Sequence, residues 1–99
     1  MTYKIKAFEI FEKQVKGLDD KSARIIEDKI RLIKENPFRF KRLNSETYSR
    51  VFEVKLNIQS KATRLIYVVL QPNIILVCFL NRKDDFKDLE KYLRKLKNA

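Results

Sequence analysis

Residues 52–80 read FEVKLNIQSKATRLIYVVLQPNIILVCFL, and this stretch decides the fold. Phe52, Val54, Leu56 and Ile58 alternate with Glu53, Lys55 and Asn57. Successive side chains of a strand point to opposite faces, so the alternation predicts a strand with one apolar and one polar face. Residues 64–70, RLIYVVL, and 74–80, IILVCFL, predict two more strands, divided by the turn residues Gln71-Pro72-Asn73. The connectors are short, which makes these three strands an antiparallel meander. The second and third are apolar on both sides, and such strands need cover on both faces of the sheet.

Upstream, residues 2–7 alternate with Tyr3, Ile5 and Ala7 on one side, the pattern of a half-buried strand. Phe8, Phe11, Val15 and Leu18 recur at helical spacing, and Gly17 marks the stop, so a short helix is expected over residues 8–16. Asp19 and Asp20 offer a cap and an acidic first turn for a second helix. Its apolar face is Ala23, Ile26, Ile30 and Ile33, widened by Ile25, and it ends at Asn36-Pro37 because the residue before proline avoids the helical region. The two form a helical hairpin. Residues 37–50 show no period and read as a loop in which Phe38, Phe40 and Tyr48 interleave with Arg39, Lys41, Arg42 and Arg50. Downstream, Phe86, Leu89, Leu93 and Leu96 form the apolar stripe of a helix over residues 84–97, with lysine and arginine on its other faces. The expected fold is α+β: an antiparallel sheet with an N-terminal helical hairpin and a C-terminal helix, in a single domain over residues 1–99.

Composition narrows the function. The chain carries 23 Lys and Arg against 13 Asp and Glu, a net charge of +10, which favours a polyanionic partner, either nucleic acid or an acidic protein. The basic residues are spread along the chain, so a membrane surface is not the expected partner. There is no histidine, which excludes the commonest general base, the commonest metal ligand and every Ser-His-Asp arrangement. The single cysteine, Cys78, sits in an apolar run without metal-ligand neighbours and reads as a small buried hydrophobe. No metal site or small-molecule cofactor is indicated, and the expected location is the cytoplasm.

On the first meander strand Glu53 and Lys55 share the polar face. Arg64 begins the next strand, and Arg82 and Lys83 follow the third. These cations can converge on one end of the sheet, where they suit a phosphodiester: they neutralise its oxygens and stabilise the charge that develops as an RNA 2′-hydroxyl attacks phosphorus. Either Lys55 or Glu53 can serve as the base. The competing reading is a surface salt bridge between Glu53 and Lys55. Two readings also stand for Phe38 and Phe40, which either stack on single-stranded RNA or pack into the core. The basic face of the last helix either tracks RNA or is simply solvated.

Phe52-Glu-Val-Lys-Leu56, Arg64-Leu-Ile-Tyr67 and Asn81-Arg-Lys-Asp-Asp-Phe-Lys87 occur in this order, with Asn36-Pro37 and Lys41-Arg-Leu43 ahead of them. Over nearly the whole chain this resembles the RelE/ParE toxin superfamily. The resemblance implies a microbial-ribonuclease-like α+β fold and the toxin of a type II toxin–antitoxin system, held inactive by an acidic antitoxin of the RelB kind. For RelE-type members it implies a metal-independent, ribosome-dependent endoribonuclease that cuts mRNA in the A site, with basic residues in place of a His/Glu pair. Carried onto this sequence, Lys55, Arg64 and Arg82 are the catalytic residues, and Lys83, Glu53, Phe86 and Arg42 contact RNA. Glu53 stands where some relatives carry lysine, and Phe86 where many carry tyrosine. The hairpin between Lys55 and Arg64 reads as longer than usual. ParE-type members share the fold and inhibit DNA gyrase without cutting RNA. Lys55, Arg64 and Arg82 lean towards the ribonuclease and the missing tyrosine leans away from it, so gyrase inhibition stands as the alternative.

Overall fold

The computed structural model describes residues 2–84 and 86–99, apart from the side chain of Phe86. In chain order the elements are β1 (Lys4–Ala7), α1 (Glu9–Lys16), α2 (Asp20–Glu35), β2 (Lys41–Leu43), β3 (Val51–Ile58), β4 (Lys61–Leu70), β5 (Asn73–Asn81) and α3 (Phe86–Lys97). The strands form one sheet in the order β1-β5-β4-β3-β2. The meander β3-β4-β5 is antiparallel as its short connectors require, and β2 extends it antiparallel to β3. β1 joins parallel to β5, which makes the sheet mixed. A parallel partner needs a long crossover, and here the whole chain between β1 and β5 supplies it.

Two differences from the sequence reading follow from backbone pairing that side-chain periodicity does not report. Residues 41–43, read as loop, form the edge strand β2. The connector between β3 and β4 is also shorter than expected: Ile58 pairs with Lys61, so only Gln59 and Ser60 lie between the strands. Both have positive φ, 51° and 65°, the geometry of a type I′ turn, which matches the twist of the flanking strands. Neither residue is glycine, and a side chain in the left-handed region costs about 1–2 kcal/mol. Ser60→Gly is therefore expected to raise stability by about 0.5–1 kcal/mol. Urea denaturation checks this: the midpoint should rise at unchanged slope, and an unchanged midpoint would mean that the turn carries no such strain.

Period two divides the sheet between two cores. Phe52, Val54, Leu56, Leu65, Tyr67 and Leu76 face Phe11 of α1 and Ile26 and Ile33 of α2. Phe11 stacks on Phe79 with ring centroids 4.9 Å apart, and Phe52 stacks on Tyr67 at 5.3 Å. On the other face Ile66, Val68, Val77, Cys78 and Leu80 pack against Leu89 and Leu93 of α3. A bulge makes both Val77 and Cys78 part of this second core, because the β4–β5 register slips after Ile66. Burying side chains of this size contributes about 1.5–3 kcal/mol each.

The helices start and stop for local reasons. The Asp19 carboxylate accepts from the Ser22 N–H at 2.8 Å and caps α2. α1 does end at Gly17, but with φ −94°, so it does not use the left-handed cap that glycine favours. α1 also closes a gap in the sheet. β1 pairs with β5 only as far as Leu76, and beyond it the Gln14 amide pairs with Phe79, donating to its carbonyl at 3.1 Å and accepting from its N–H at 2.7 Å. The side chain thus stands in for a neighbouring strand.

Glu90 of α3 is a buried carboxylate that accepts from the Thr47 hydroxyl at 2.7 Å and from the Glu46 N–H at 3.2 Å, tying the β2–β3 connector to the helix. Burial works to raise its pKa. Hydrogen bonds from Ser45, Thr47 and Glu46 and the charge of Arg94 outweigh burial and hold it below the ordinary 4.5. A carboxyl with a lowered folded pKa stabilises fully above its unfolded value and loses that contribution as pH falls through the folded one. The stability difference between the wild type and Glu90→Gln should be constant above pH 4.5 and shrink below it. Denaturation midpoints from about pH 3 to about pH 7 test this, and a difference independent of pH would refute it.

Candidate nucleic-acid interface

The two-residue turn makes Lys55 and Arg64 direct register partners, so both point to the face that α3 covers further along the sheet. Lys55 is exposed and makes no ion pair among the described residues. Its strand neighbour Glu53 is different. The Glu53 side chain is 3% exposed and accepts from Arg64 Nη1 at 3.2 Å. On its other flank Lys41 of β2, its register partner, brings Nζ to 3.8 Å. The surface pair between Glu53 and Lys55 is therefore not made. Residues two apart on one strand are less well placed than partners arriving from the strands on either side.

Arg64 ties three parts of the fold together. Nη1 donates to Glu53, and Nη2 donates to the Asp84 carbonyl at 2.9 Å and approaches the Asn81 carbonyl at 3.5 Å. Nε is buried without an acceptor among the described residues. The turn that Arg64 grips is also closed from within: Asp84 Oδ2 accepts from the Asn81 N–H at 2.9 Å, and the Asp84 N–H donates to the Asn81 carbonyl at 3.0 Å. The Arg82 N–H adds a bond to Ala62 O at 3.3 Å.

Arg82 and Lys83 sit on this turn, exposed. Arg82 Nη2 reaches to 3.5 Å from the Leu56 carbonyl, next to Lys55 in the chain. Behind it lies a cleft of about 550 Å³ lined by Lys61, Ala62, Asn81, Arg82, Lys83 and Asp84. Lys55 and Arg64 thus share one sheet face, with the turn that carries Arg82 and Lys83 at its end and Lys41 reaching the same face beside Glu53, while Lys61 alternates to the opposite face and borders the cleft from there. Lys41 belongs to the aromatic-basic stretch that reads as a loop and Lys61 to the hairpin that reads as longer, so periodicity assigns neither to a face.

One candidate falls elsewhere, and the side chain of another lies outside the described residues. Arg42 pairs in register with Phe52, so it lies on the opposite face from Glu53, and its Nε and Nη2 donate to the Ser49 carbonyl at 3.2 and 2.6 Å. Phe86 begins α3, and its side chain lies outside the described residues. The aromatic loop splits between its two readings: Phe40 packs against the core, while Phe38 is 45% exposed, with the Arg50 guanidinium 5.7 Å from its ring centroid.

Two buried groups take no part. Burial pushes the Cys78 thiol up to about 12, which leaves it protonated at neutral pH. Burial also raises the Tyr67 phenol, whose hydroxyl donates to the Pro37 carbonyl. Among the described residues the rim carries Lys55, Arg82 and Lys83, side chains that can neutralise and orient a phosphodiester, together with the Asp84 carboxylate that closes the turn.

No protein-family model and no curated protein matches this sequence. Solved structures do match. An arginine double mutant of the Escherichia coli RelE toxin in the free state superposes with a TM-score of 0.72 at 19% identity, covering 95% of this chain and 98% of that one. A chain of the intact E. coli RelBE toxin–antitoxin complex gives 0.67 at 15% identity, over 85% of this chain and all of that one. The isolated E. coli RelE toxin gives 0.64 at 17%, over 96% and 99%. From β1 to α3, this chain has the fold of the RelE toxin.

Proposed function

We propose that this chain is the toxin of a toxin–antitoxin pair and that it cuts messenger RNA on the ribosome, in the cytoplasm, where translation occurs. The observation that carries the reading is the rim of exposed cations, Lys55, Arg82 and Lys83, assembled around Arg64 on a RelE fold. In the proposed reaction the 2′-oxygen of one nucleotide bonds to the adjacent phosphorus as the bond from phosphorus to the 5′-oxygen breaks. The 2′-hydroxyl proton leaves to a base, and the 5′-oxygen takes up a proton. The products are a 2′,3′-cyclic phosphate and a 5′-hydroxyl. Arg82 stabilises the charge that builds on the phosphate oxygens, and Lys55 either helps activate the 2′-hydroxyl or shares that stabilisation. Lys83 adds phosphate affinity.

The partner proposed alongside is an acidic antitoxin. The similarity to a chain of the RelBE complex supports it, and the net charge of +10 suits an acidic protein. Primer extension on a defined mRNA in a translating extract tests the activity. New 5′ ends inside the ribosome-covered codon, absent without ribosomes, are the expected result. Intact mRNA in the presence of the folded protein would overturn the reading and send the question to a gyrase supercoiling assay.

A further inference from the structure

We propose that Arg64 is a positioning residue and not a phosphate ligand: braced by the buried Glu53 carboxylate, it holds the 81–84 turn in the shape that presents Arg82 and Lys83. This inference rests on the nucleic-acid reading above. A guanidinium has its donors in a fixed planar fork, and both ends of the Arg64 fork are engaged by the protein. One end meets Glu53, the other meets the carbonyls of Asp84 and Asn81, and Nε between them is buried. The side chain is 16% exposed, against the open positions of Arg82, Lys83 and Lys55. A phosphate approaching from solvent meets those three first.

The brace has two ends. Glu53, 3% exposed between Arg64 and Lys41, fixes where the guanidinium sits. Arg64 in turn holds the turn from the sheet side, while Asp84 closes it from its own side through the Asn81 N–H. Without the guanidinium, the Asp84 carbonyl loses its donor, and the turn is held by its own two internal bonds and the Arg82 bond to Ala62. A lysine at this position keeps the charge, but one ammonium on a flexible stem cannot span Glu53 and the turn carbonyls as the fork does.

Arg64→Lys is therefore the informative variant, because it leaves the net charge unchanged. The probe is a short single-stranded oligoribonucleotide. One readout is the salt dependence of its binding, and the other is amide hydrogen exchange of the free protein. Removing one phosphate contact lowers the slope of log affinity against log salt by about 0.7 for a single strand. Arg82→Ala and Lys55→Ala should each show that loss of slope. Arg64→Lys should bind several times more weakly with the wild-type slope. It should also exchange the Asn81, Arg82 and Asp84 amides about tenfold faster, which Lys55→Ala should not do.

A slope lowered by Arg64→Lys as far as by Arg82→Ala, or unchanged exchange at those amides, overturns the inference. If Arg64→Lys does not fold, Glu53→Gln loosens the brace from its other end and is held to the same two criteria. Wild-type binding that shows no salt dependence would instead sink the nucleic-acid reading, while exchange in the turn would still decide whether the brace exists.

Discussion

Arg82→Ala is expected to lower the rate of mRNA cleavage in a translating extract by about 100- to 1000-fold, a loss of about 2.7–4 kcal/mol of transition-state stabilisation. The expectation rests on where the charge sits. Arg82 is exposed, its guanidinium reaches the Leu56 carbonyl alone among the described residues, at 3.5 Å, and Lys55 immediately precedes Leu56 on β3. In the proposed reaction, the negative charge of the pentacovalent transition state would spread over phosphate oxygens beside these two side chains. A guanidinium offers two parallel donors to such oxygens. Arg82→Lys should recover part of the rate and not all of it, because it restores charge without the fork. The fold should be unaffected, since an exposed side chain with one marginal bond contributes within about 0.5 kcal/mol. The check is cleavage rate together with thermal midpoint. A variant that melts like the wild type and still cuts at the wild-type rate would remove Arg82 from the reaction and with it the main support for the site.

The sequence makes some of this legible and hides the rest for identifiable reasons. The alternation of Phe52, Val54, Leu56 and Ile58 announces a strand with a polar face, and Lys55 is found on it, exposed. The doubly apolar runs that become β4 and β5 call for cover on both faces, and the helices supply it. β1 gives no hint of its partner, because four residues of mostly exposed strand can pair at either edge of a sheet. β2 is three residues of mixed polarity, too short for a period. Without β2, neither the place of Lys41 beside Glu53 nor that of Arg42 on the opposite face can be read. The glycine-free Gln59-Ser60 turn hides the tight hairpin, so the sequence places Arg64 across from Lys55 or its flank without fixing the register in which they pair.

Glu53 is the residue most easily misread, and its loss is expected to be the most damaging to the fold. On a polar strand face a carboxylate reads as solvated, yet here it is 3% exposed. Arg64 reaches it from β4 at 3.2 Å, and the more exposed Lys41 approaches it from β2 at 3.8 Å. Truncating one member of such a pair leaves the other charge desolvated and alone. Glu53→Ala should therefore cost about 3–5 kcal/mol, measured by urea denaturation. That is a large share of the roughly 5–15 kcal/mol that holds a domain together. Glu53→Gln keeps an acceptor for Arg64 Nη1 and should cost less, about 1–3 kcal/mol. Removing both charges with apolar side chains, Glu53→Leu with Arg64→Leu, should recover most of the loss, because a packed hydrophobic pair replaces a buried ionic one at little net cost. Glu53→Lys should be worse than alanine. It adds a third cation where Arg64 and Lys41 already meet, so a lysine at this position requires a different arrangement of its neighbours. A Glu53→Ala cost below about 1 kcal/mol, with no recovery in the double variant, would mean that Arg64 turns out to solvent once released. The guanidinium would then be free to bind a phosphate, and the turn that carries Arg82 would be held by its Asn81–Asp84 bonds and the Arg82 N–H bond to Ala62.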